Sequence, residues 1–247
     1  MTATKLERFA MNTAMEALRL GTMVRRRPIP WEITWFPTFT CNLRCSYCCV
    51  PHQNYTPPDP QKACNKIIEL KPGSISILGG EPFLIKEMPE YLRQMRQALP
   101  KAYIFATTNA LVDRKRLVDS APSLDVLCVS VDGFDQVNKK HRGCPSRKIM
   151  DNVWAYNDYC KTLEGTHDIC INTVVSAGNA RELPEFIEFI AERDPSIYVM
   201  CQGMHPFDAP NGLGQFPELT DEFVDRIAEL KDKGRNVFLV GKIADDY

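Results

Sequence analysis

The chain has 247 residues, of which 44% are hydrophobic and 25% are charged, a composition that argues against intrinsic disorder and is sufficient for one large folded domain. Thirty Lys and Arg oppose 31 Asp and Glu, and the resulting net charge of -1 gives no overall attraction to nucleic acid or to an acidic membrane surface. We therefore expect no nucleic-acid partner.

The amino-terminal segment, residues 1–30, has the pattern of an amphipathic helix. Apolar residues recur at helical spacing between residues 4 and 24, so we expect a helical extension that packs on a domain formed by residues 31–247. Charged residues such as Glu7 and Arg19 interrupt the segment and exclude the apolar core of a signal peptide. No later stretch approaches the ~20 apolar residues of a membrane span. We therefore expect a cytoplasmic protein without a membrane span.

From residue 31 onward, short runs rich in β-branched and aromatic residues alternate with helical stretches. The predicted strands are EITWF (32–36), SISIL (74–78), AYIFAT (102–107), VLCVSV (126–131), ICINTVV (169–175), IYVMC (197–201) and VFLV (237–240). The predicted helices lie near 59–70, 86–98, 113–120, 146–163, 182–193 and 220–233. This order implies parallel strands joined by right-handed crossovers. An open doubly wound sheet and a full or partial β/α barrel both satisfy it, and both form their sites at the carboxyl ends of the strands.

The carboxyl-terminal part contains a long loop and a short tail. Residues 202–218 form a loop placed where a lid over substrate could sit. Cys201, at the end of a predicted strand, and His205 are candidate catalytic residues by position, His205 as a proton donor or acceptor; a solvent-facing loop histidine is an equally good interpretation. The chain ends seven residues after its last predicted strand, without a closing helix, which is compatible with a truncated carboxyl terminus.

Four of the ten cysteines lie in the stretch CNLRCSYCC, directly after the first predicted strand. The spacing Cys-x3-Cys-x2-Cys of Cys41, Cys45 and Cys48 lets three thiolates of one loop bind three irons of a cubane cluster and leave the fourth iron open. A zinc site could recruit Cys49 as its fourth ligand, although adjacent cysteines rarely both reach one metal ion. A chance cluster of small buried residues is a third interpretation. In the cytoplasm, thiols or metal ligands are expected rather than disulfides.

The segment CNLRCSYC resembles the signature of the radical S-adenosylmethionine (radical SAM) superfamily, Cys-x3-Cys-x-aromatic-Cys, with Tyr47 as the aromatic residue. Further similar motifs follow the next three predicted strands, and one lies downstream of them. They are GGEP (79–82), TNA (108–110), SVDG (130–133) and HRG (141–143). The resemblance covers roughly residues 31–205, and each motif falls near the carboxyl end of a successive strand.

The resemblance implies a fold and two cofactors. The fold is a partial (β/α)6 TIM-like barrel with an amino-terminal helix. The cofactors are a 4Fe-4S cluster on Cys41, Cys45 and Cys48 and S-adenosylmethionine bound beside it. The cofactor-binding residues that the resemblance implies are Tyr47, Gly79, Gly80, Glu81, Asn109, Ser130, Arg142 and Asn172.

Physical reasons accompany several of these assignments. By resemblance, Tyr47 would cover the adenine, the segment 79–81 would bind the methionyl amine, and Arg142 would make a bidentate contact to the methionyl carboxylate. Ser130 and Asn172 share the parity that faces the barrel lumen, where they would offer a hydroxyl and an amide to the ribose or carboxylate. The alternatives are a simple turn for the glycine pair, a surface salt bridge for Arg142, and backbone capping for the polar residues at the strand ends.

The resemblance also implies a function. The reduced cluster would pass one electron into S-adenosylmethionine, and the 5'-deoxyadenosyl radical that results would abstract hydrogen from a peptide, a cofactor precursor or a lipid. A low-potential electron donor such as flavodoxin or ferredoxin is implied. The SVDG and HRG motifs are similar to those of the SPASM/peptide-maturase-like and hopanoid-type branch. Two alternatives stay open, namely a non-catalytic zinc-binding interaction module and a radical SAM methyltransferase, which would need further ligand cysteines or a second domain.

Overall fold

The computed structural model describes residues 30–48, 50, 57–203 and 221–240. Within these residues, seven parallel strands form one sheet whose order in space is their order in sequence. The strands are β1 (Glu32–Trp35), β2 (Ser74–Ile77), β3 (Tyr103–Thr108), β4 (Val126–Ser130), β5 (Asp168–Val175), β6 (Tyr198–Gly203) and β7 (Val237–Val240). Among the described strands β1 and β7 do not pair, so the barrel stays open.

Seven α-helices connect or follow these strands within the described ranges. They are α1 (Pro60–Leu70), α2 (Met88–Ala98), α3 (Arg114–Ser120), α4 (Asp135–Arg142), α5 (Ser146–Cys160), α6 (Leu183–Arg193) and α7 (Asp221–Asp232). The architecture confirms the expected partial β/α barrel. The sheet has one strand more than a (β/α)6 unit, because the run VFLV pairs with β6 as β7.

Helix α4 is an element that the sequence did not predict. Its sequence DQVNKKHR contains a single strongly apolar residue, so it has no hydrophobic periodicity to read. The helix is stabilised by charged residues near its two ends and by a glycine that terminates it. An acidic residue lies in its first turn and four basic residues lie in its last turn, and Gly143 ends it with φ +83°. The helix matters because its last two residues, His141 and Arg142, reach the functional site.

The two faces of the sheet have different partners. The convex face packs against the helices in the main hydrophobic core. On the concave face, Val126, Cys128 and Cys170 form a smaller buried cluster, and the partly buried Phe105, Tyr198 and Met200 pack against it. Cys128 and Cys170 are partners across β4 and β5, and Ser130 and Asn172 are partners two residues further on. The apolar cluster is therefore a floor beneath the polar carboxyl ends of these strands.

Three expectations fall outside the described residues. The predicted amino-terminal helix lies within residues 1–29, and the tail after β7 is 241–247. Of the predicted loop 202–218, Gln202 and Gly203 belong to β6, and the remainder, which contains His205, lies outside the described residues. The boundary between an extension and a barrel domain stays a prediction. Among the helices that the structure describes, none is long and apolar enough to cross a membrane.

A buried carboxylate at the amino-terminal end of β6 gives a test of the fold. Asp194 accepts hydrogen bonds from Asn157 Nδ2 at 2.8 Å, from the backbone N–H of Ser196 at 2.9 Å and from Lys161 Nζ at 2.6 Å. Asp194→Asn keeps the shape but removes the charge, so we expect the free energy of unfolding in urea to fall by about 1–3 kcal/mol. Lys161→Ala removes only the partner whose side chain is 57% exposed, and it should cost less than about 1 kcal/mol. Equal losses for both variants would contradict this interpretation.

Candidate functional site

A cavity of about 420 Å³ lies at the carboxyl ends of the strands. Ten of the residues predicted for the site line it together, namely Cys41, Cys45, Tyr47, Cys48, Gly79, Gly80, Asn109, Ser130, Arg142 and Asn172. Glu81 and Cys201 do not line the cavity, and His205 lies outside the described residues.

The loop that contains the three cysteines, residues 41–48 (the cluster loop), makes polar contacts with two neighbouring segments. The backbone N–H of Ser46 donates to the carbonyl of His141 at 2.9 Å, at the end of α4. The amide Nδ2 of Asn109 lies 3.7 Å from Cys41 Sγ, after β3. Burial raises the pKa of Cys41, and it raises the pKa of Cys45 to about 11 against the opposing effect of Arg142. This cluster loop therefore presents thiols to the cavity from a fixed backbone.

The donor set decides which inorganic group fits the cluster loop. In the part of the chain that the structure describes, no three His, Cys, Asp or Glu side chains lie close enough to share a single metal ion. A cubane cluster binds each thiolate to a different iron, so its ligands stand farther apart than those of one tetrahedral zinc ion. No described cysteine other than Cys41, Cys45 and Cys48 lines the cavity. The three thiols that line the cavity match the ligands of a 4Fe-4S cluster with one open iron, while Cys49, the fourth ligand of the alternative zinc site, lies outside the described residues.

Gly79 and Gly80 allow the end of β2 to lie against the chain that leads from β1 to the cluster loop. A Cβ atom on Gly79 would lie 2.4 Å from the carbonyl oxygen of Thr38, and one on Gly80 would lie 2.3 Å from that of Thr40. Gly79 also has φ +128°, a conformation that residues with a Cβ rarely adopt. The glycines thus serve backbone packing and at the same time leave their own backbone exposed to the cavity.

Glu81 does not line the cavity, and its expected contact with the cofactor amine stays a prediction. It is fully buried, and its carboxylate accepts hydrogen bonds from the hydroxyl of Thr108 at 2.8 Å and the backbone N–H groups of Asn109 at 2.7 Å and Phe83 at 3.0 Å. Burial raises the pKa of Glu81 to about 7, although these three donors favour the carboxylate. Glu81 therefore ties the end of β2 to the end of β3 and positions Asn109.

Asp132 is the centre of a second buried network. Its carboxylate accepts hydrogen bonds from the Tyr47 hydroxyl, from Arg142 Nη2 at 2.9 Å and from the backbone N–H of Val174 at 3.0 Å. The Arg142 guanidinium also lies 5.5 Å from the centre of the Tyr47 ring. Burial alone would raise the pKa of Asp132, but Arg142, the nearby His141 ring and the hydrogen bonds from Arg142 and Tyr47 hold it below its ordinary value.

Arg142 is 6% exposed, so its alternative interpretation as a surface salt bridge is wrong. Burial opposes its charge, yet the neighbouring Asp132 raises the pKa of Arg142 above its ordinary value. Its Nε is buried without a hydrogen-bond partner. Arg142 therefore stays a cation at the cavity wall with an N–H donor that no described protein group accepts, while Tyr47 is held by Asp132 and still lines the cavity.

Polar side chains of β4, β5 and β6 face the same cavity. Asn172 Oδ1 is buried without a hydrogen-bond partner, and Ser130 lies beside it in register. Gln202 also lines the cavity, and sequence reasoning did not assign it a role. The available signal was parity, since Gln202 pairs with Val174, which lies on the same face as Asn172. An unpaired buried amide oxygen beside a cavity is a group that a bound ligand can satisfy.

Cys201 was wrong as a catalytic candidate. It is 1% exposed and belongs to the main core on the helix side of the sheet, because adjacent residues of a strand point to opposite faces. Burial raises the pKa of Cys201 to about 12, so the thiol stays protonated at neutral pH. His205 stays a prediction.

The buried Glu81 carboxyl yields a pH-dependent prediction. Its pKa is raised from 4.5 to about 7 in the folded protein, so its contribution to stability is complete below about pH 4.5 and is lost as pH rises through about 7. Glu81→Gln does not titrate. We expect the unfolding free energy of the wild type to fall by about 3 kcal/mol relative to that of Glu81→Gln over this range. Denaturation of both proteins at several pH values measures the difference, and parallel curves would contradict it.

The sequence of the chain is similar to those of known proteins. The family model described as Radical SAM superfamily matches residues 35–190. An S-adenosylmethionine-dependent nucleotide dehydratase of Lacinutrix mariniflava is 27% identical over 212 residues, which cover 80% of this chain and 43% of that protein. A mitochondrial GTP 3',8-cyclase of Arabidopsis thaliana is 28% identical over 208 residues, which cover 78% and 52%. This chain thus spans about half the length of the curated relatives that it matches.

Solved structures give the same picture of the fold. Streptococcus suis SuiB bound to its precursor peptide SuiA has a TM-score of 0.69 at 15% identity, over 97% of this chain and 55% of that chain. The structure of anSMEcpe with bound AdoMet has a TM-score of 0.66 at 18% identity, over 85% and 64%. At these identities the likeness establishes the partial barrel. Because the family model covers more than half of its residues, this chain belongs to the radical SAM superfamily, whose members use a 4Fe-4S cluster and S-adenosylmethionine.

Proposed function

We propose that this protein is an enzyme that cleaves S-adenosylmethionine reductively at a 4Fe-4S cluster and uses the resulting 5'-deoxyadenosyl radical to remove a hydrogen atom from a substrate. The observation that carries the proposal is the meeting of Cys41, Cys45 and Cys48 with unpaired polar groups in one cavity at the carboxyl edge of the barrel. When bound, the cluster would supply the electron and an open iron for the methionyl group.

The residues around the thiols would bind and orient the cofactor. Arg142 offers its unpartnered Nε to a carboxylate, and its bond to Asp132 fixes the direction of the guanidinium. Ser130 and Asn172 offer a hydroxyl and an amide oxygen from β4 and β5. The backbone at Gly80 is open to the cavity and supplies acceptors for an amine. These contacts would hold the cofactor on one side of the cavity and leave its reactive carbon facing the lumen.

The barrel would also keep water away from a reactive radical. The apolar cluster of Val126, Cys128 and Cys170 with Phe105, Tyr198 and Met200 lies on the lumen side of the sheet, below Ser130, and would limit the entry of water there. Leu78 and Val174 add apolar surface to the cavity wall. A dry, shaped cavity prevents the side reactions that a radical undergoes in water.

The partners follow from the chemistry. An enzyme of this kind needs a reductant and a substrate, and we propose a flavodoxin or ferredoxin type of protein as the reductant. A peptide, a cofactor precursor and a lipid are substrate classes to test, and the names of the sequence relatives add a nucleotide to them. The nine described cysteines are free, which supports a reducing compartment such as the cytoplasm. Among the described residues, no cysteine outside the cluster loop lines the cavity, so these residues do not supply the further ligand cysteines that the methyltransferase alternative would need.

Metal content tests the proposal. After anaerobic reconstitution with iron and sulfide, the wild type should contain about four irons per chain and, once reduced with dithionite, should convert S-adenosylmethionine to 5'-deoxyadenosine. The variant Cys41→Ala, Cys45→Ala, Cys48→Ala should bind no cluster. Cys160→Ala, which changes a buried cysteine outside the cavity, should retain it. A colourless wild type that binds zinc instead of iron would support the interaction module.

The unpaired Asn172 gives a sharper test of cofactor binding. Asn172→Ala breaks no hydrogen bond of Oδ1 within the protein, so we expect stability to change little while the dissociation constant for S-adenosylmethionine rises about three- to tenfold. Equilibrium binding to the reconstituted protein measures it. Asn157→Ala, which removes an amide bonded to Asp194, should show the reverse, with lower stability and unchanged affinity. Unchanged affinity in Asn172→Ala would remove this residue from the site.

A further inference from the structure

We propose that Asp132 is a positioning residue that holds Arg142 beside the cluster loop and, because its negative charge balances that of Arg142, lowers the reduction potential of the cluster. This inference rests on the proposed function, since it requires a cluster on the three cysteines. Asp132 does not line the cavity, so its effect would pass through Arg142 and through the electric field at the cluster.

Hydrogen bonds fix Asp132 on every side. It is fully buried, and one carboxylate oxygen, Oδ1, accepts from both Arg142 Nη2 and the backbone N–H of Val174, at 2.9 and 3.0 Å. Its own backbone N–H donates to Asn138 Oδ1 at 2.9 Å, and its carbonyl accepts from Asn179 Nδ2 at 2.8 Å. The carboxylate therefore has a single position, and the guanidinium bonded to it is held in place.

The Asp132–Arg142 pair contacts the cluster loop directly. The hydroxyl of Tyr47 donates to Asp132 Oδ2, and the ring of the same residue lies under the Arg142 guanidinium. Tyr47 stands between Cys45 and Cys48 in the sequence. The neighbouring Ser46 donates its backbone N–H to the carbonyl of His141 at 2.9 Å. One cation and one anion thus lie within contact of the segment that joins two cluster ligands.

The signs of these two charges determine the direction of the effect. Reduction adds an electron to the cluster, so a nearby cation favours the reduced form and a nearby anion disfavours it. The potential of an iron–sulfur cluster depends on surrounding charge, hydrogen bonds and exposure, and charges act strongly where water is excluded. Arg142 is needed as a cation for a carboxylate ligand, but alone it would make the reduced cluster a weaker electron donor. Asp132 offsets this effect while Arg142 keeps its free Nε.

Three variants of the reconstituted holoprotein test the inference. Asp132→Asn leaves the Arg142 cation unbalanced, and we expect its midpoint potential to rise by about 59 mV or more, which is a tenfold change for one electron. At a pH high enough to keep Asp132 ionised without its partner, Arg142→Gln leaves the anion unbalanced and should lower the potential. The double variant, Asp132→Asn with Arg142→Gln, removes both charges, and its midpoint potential should be close to that of the wild type. A redox titration monitored by electron paramagnetic resonance, without S-adenosylmethionine, measures all four proteins.

The double variant separates an electrostatic effect from a structural one. If Asp132→Asn acted by loosening the packing and admitting water, the double variant would shift the potential at least as far in the same direction, and this result would overturn the proposal. Asp194→Asn makes the same chemical change at the amino-terminal end of the sheet and should leave the potential unchanged. If Asp132→Asn assembles no cluster, the midpoint potential of Arg142→Gln decides the question alone. A potential equal to or higher than that of the wild type would overturn the proposal. A wild type that binds no cluster refutes the proposed function instead.

Discussion

Every strand of the sheet runs in the same direction, and the strands follow one another in space in the order of the sequence. This constraint brings the segment after each strand to a single edge. The cysteines follow β1, the glycine pair follows β2, Asn109 follows β3 and Asp132 follows β4. Residues up to about 160 positions apart in the chain, from Cys41 to Gln202, therefore line one cavity. The site depends on this parallel order more than on any single contact within it.

Two buried carboxylates, Glu81 and Asp132, hold the segments at this edge of the sheet in fixed positions through hydrogen bonds. Glu81 joins the end of β2 to the end of β3 through three hydrogen bonds. Asp132 joins the cluster loop, α4 and β5. A buried carboxylate is stable only where donors surround it, so each one requires the loops it binds to keep their positions. The two carboxylates thus fix the positions of Asn109 and Arg142, which line the cavity.

The sequence predicted the elements whose signals are local. Strands β1 to β7 and the cysteine spacing are visible as short patterns, and the structure confirms the partial barrel that they imply. Helix α4 was missed because its sequence is almost entirely polar. The sequence of the run IYVMC does not show which of its residues face the lumen, because it contains no charged or amide side chain. Cys201 was consequently placed at the site, where its neighbour Gln202 lies.

Among the site residues, too, those with a local sequence signal were predicted, whereas those whose role depends on tertiary contacts were not. The direction of the Glu81 side chain follows from donors on β3, and the role of Asp132 follows from Tyr47, Arg142 and Val174, which are distant in the sequence. No pattern within SVDG distinguishes a buried aspartate that binds three segments from one that caps a turn. Burial and tertiary partners carry this information, and they exist only in the folded chain.

The most direct measurement is the electron paramagnetic resonance spectrum of the reconstituted, reduced protein, recorded before and after S-adenosylmethionine is added. An open iron at the cavity should take the methionyl group as a ligand, so we expect a cluster signal whose g values change when the cofactor is added. The same change should occur in Cys49→Ala, because that thiol is not needed as a ligand. A cluster signal that S-adenosylmethionine leaves unaltered would contradict an open iron in this cavity.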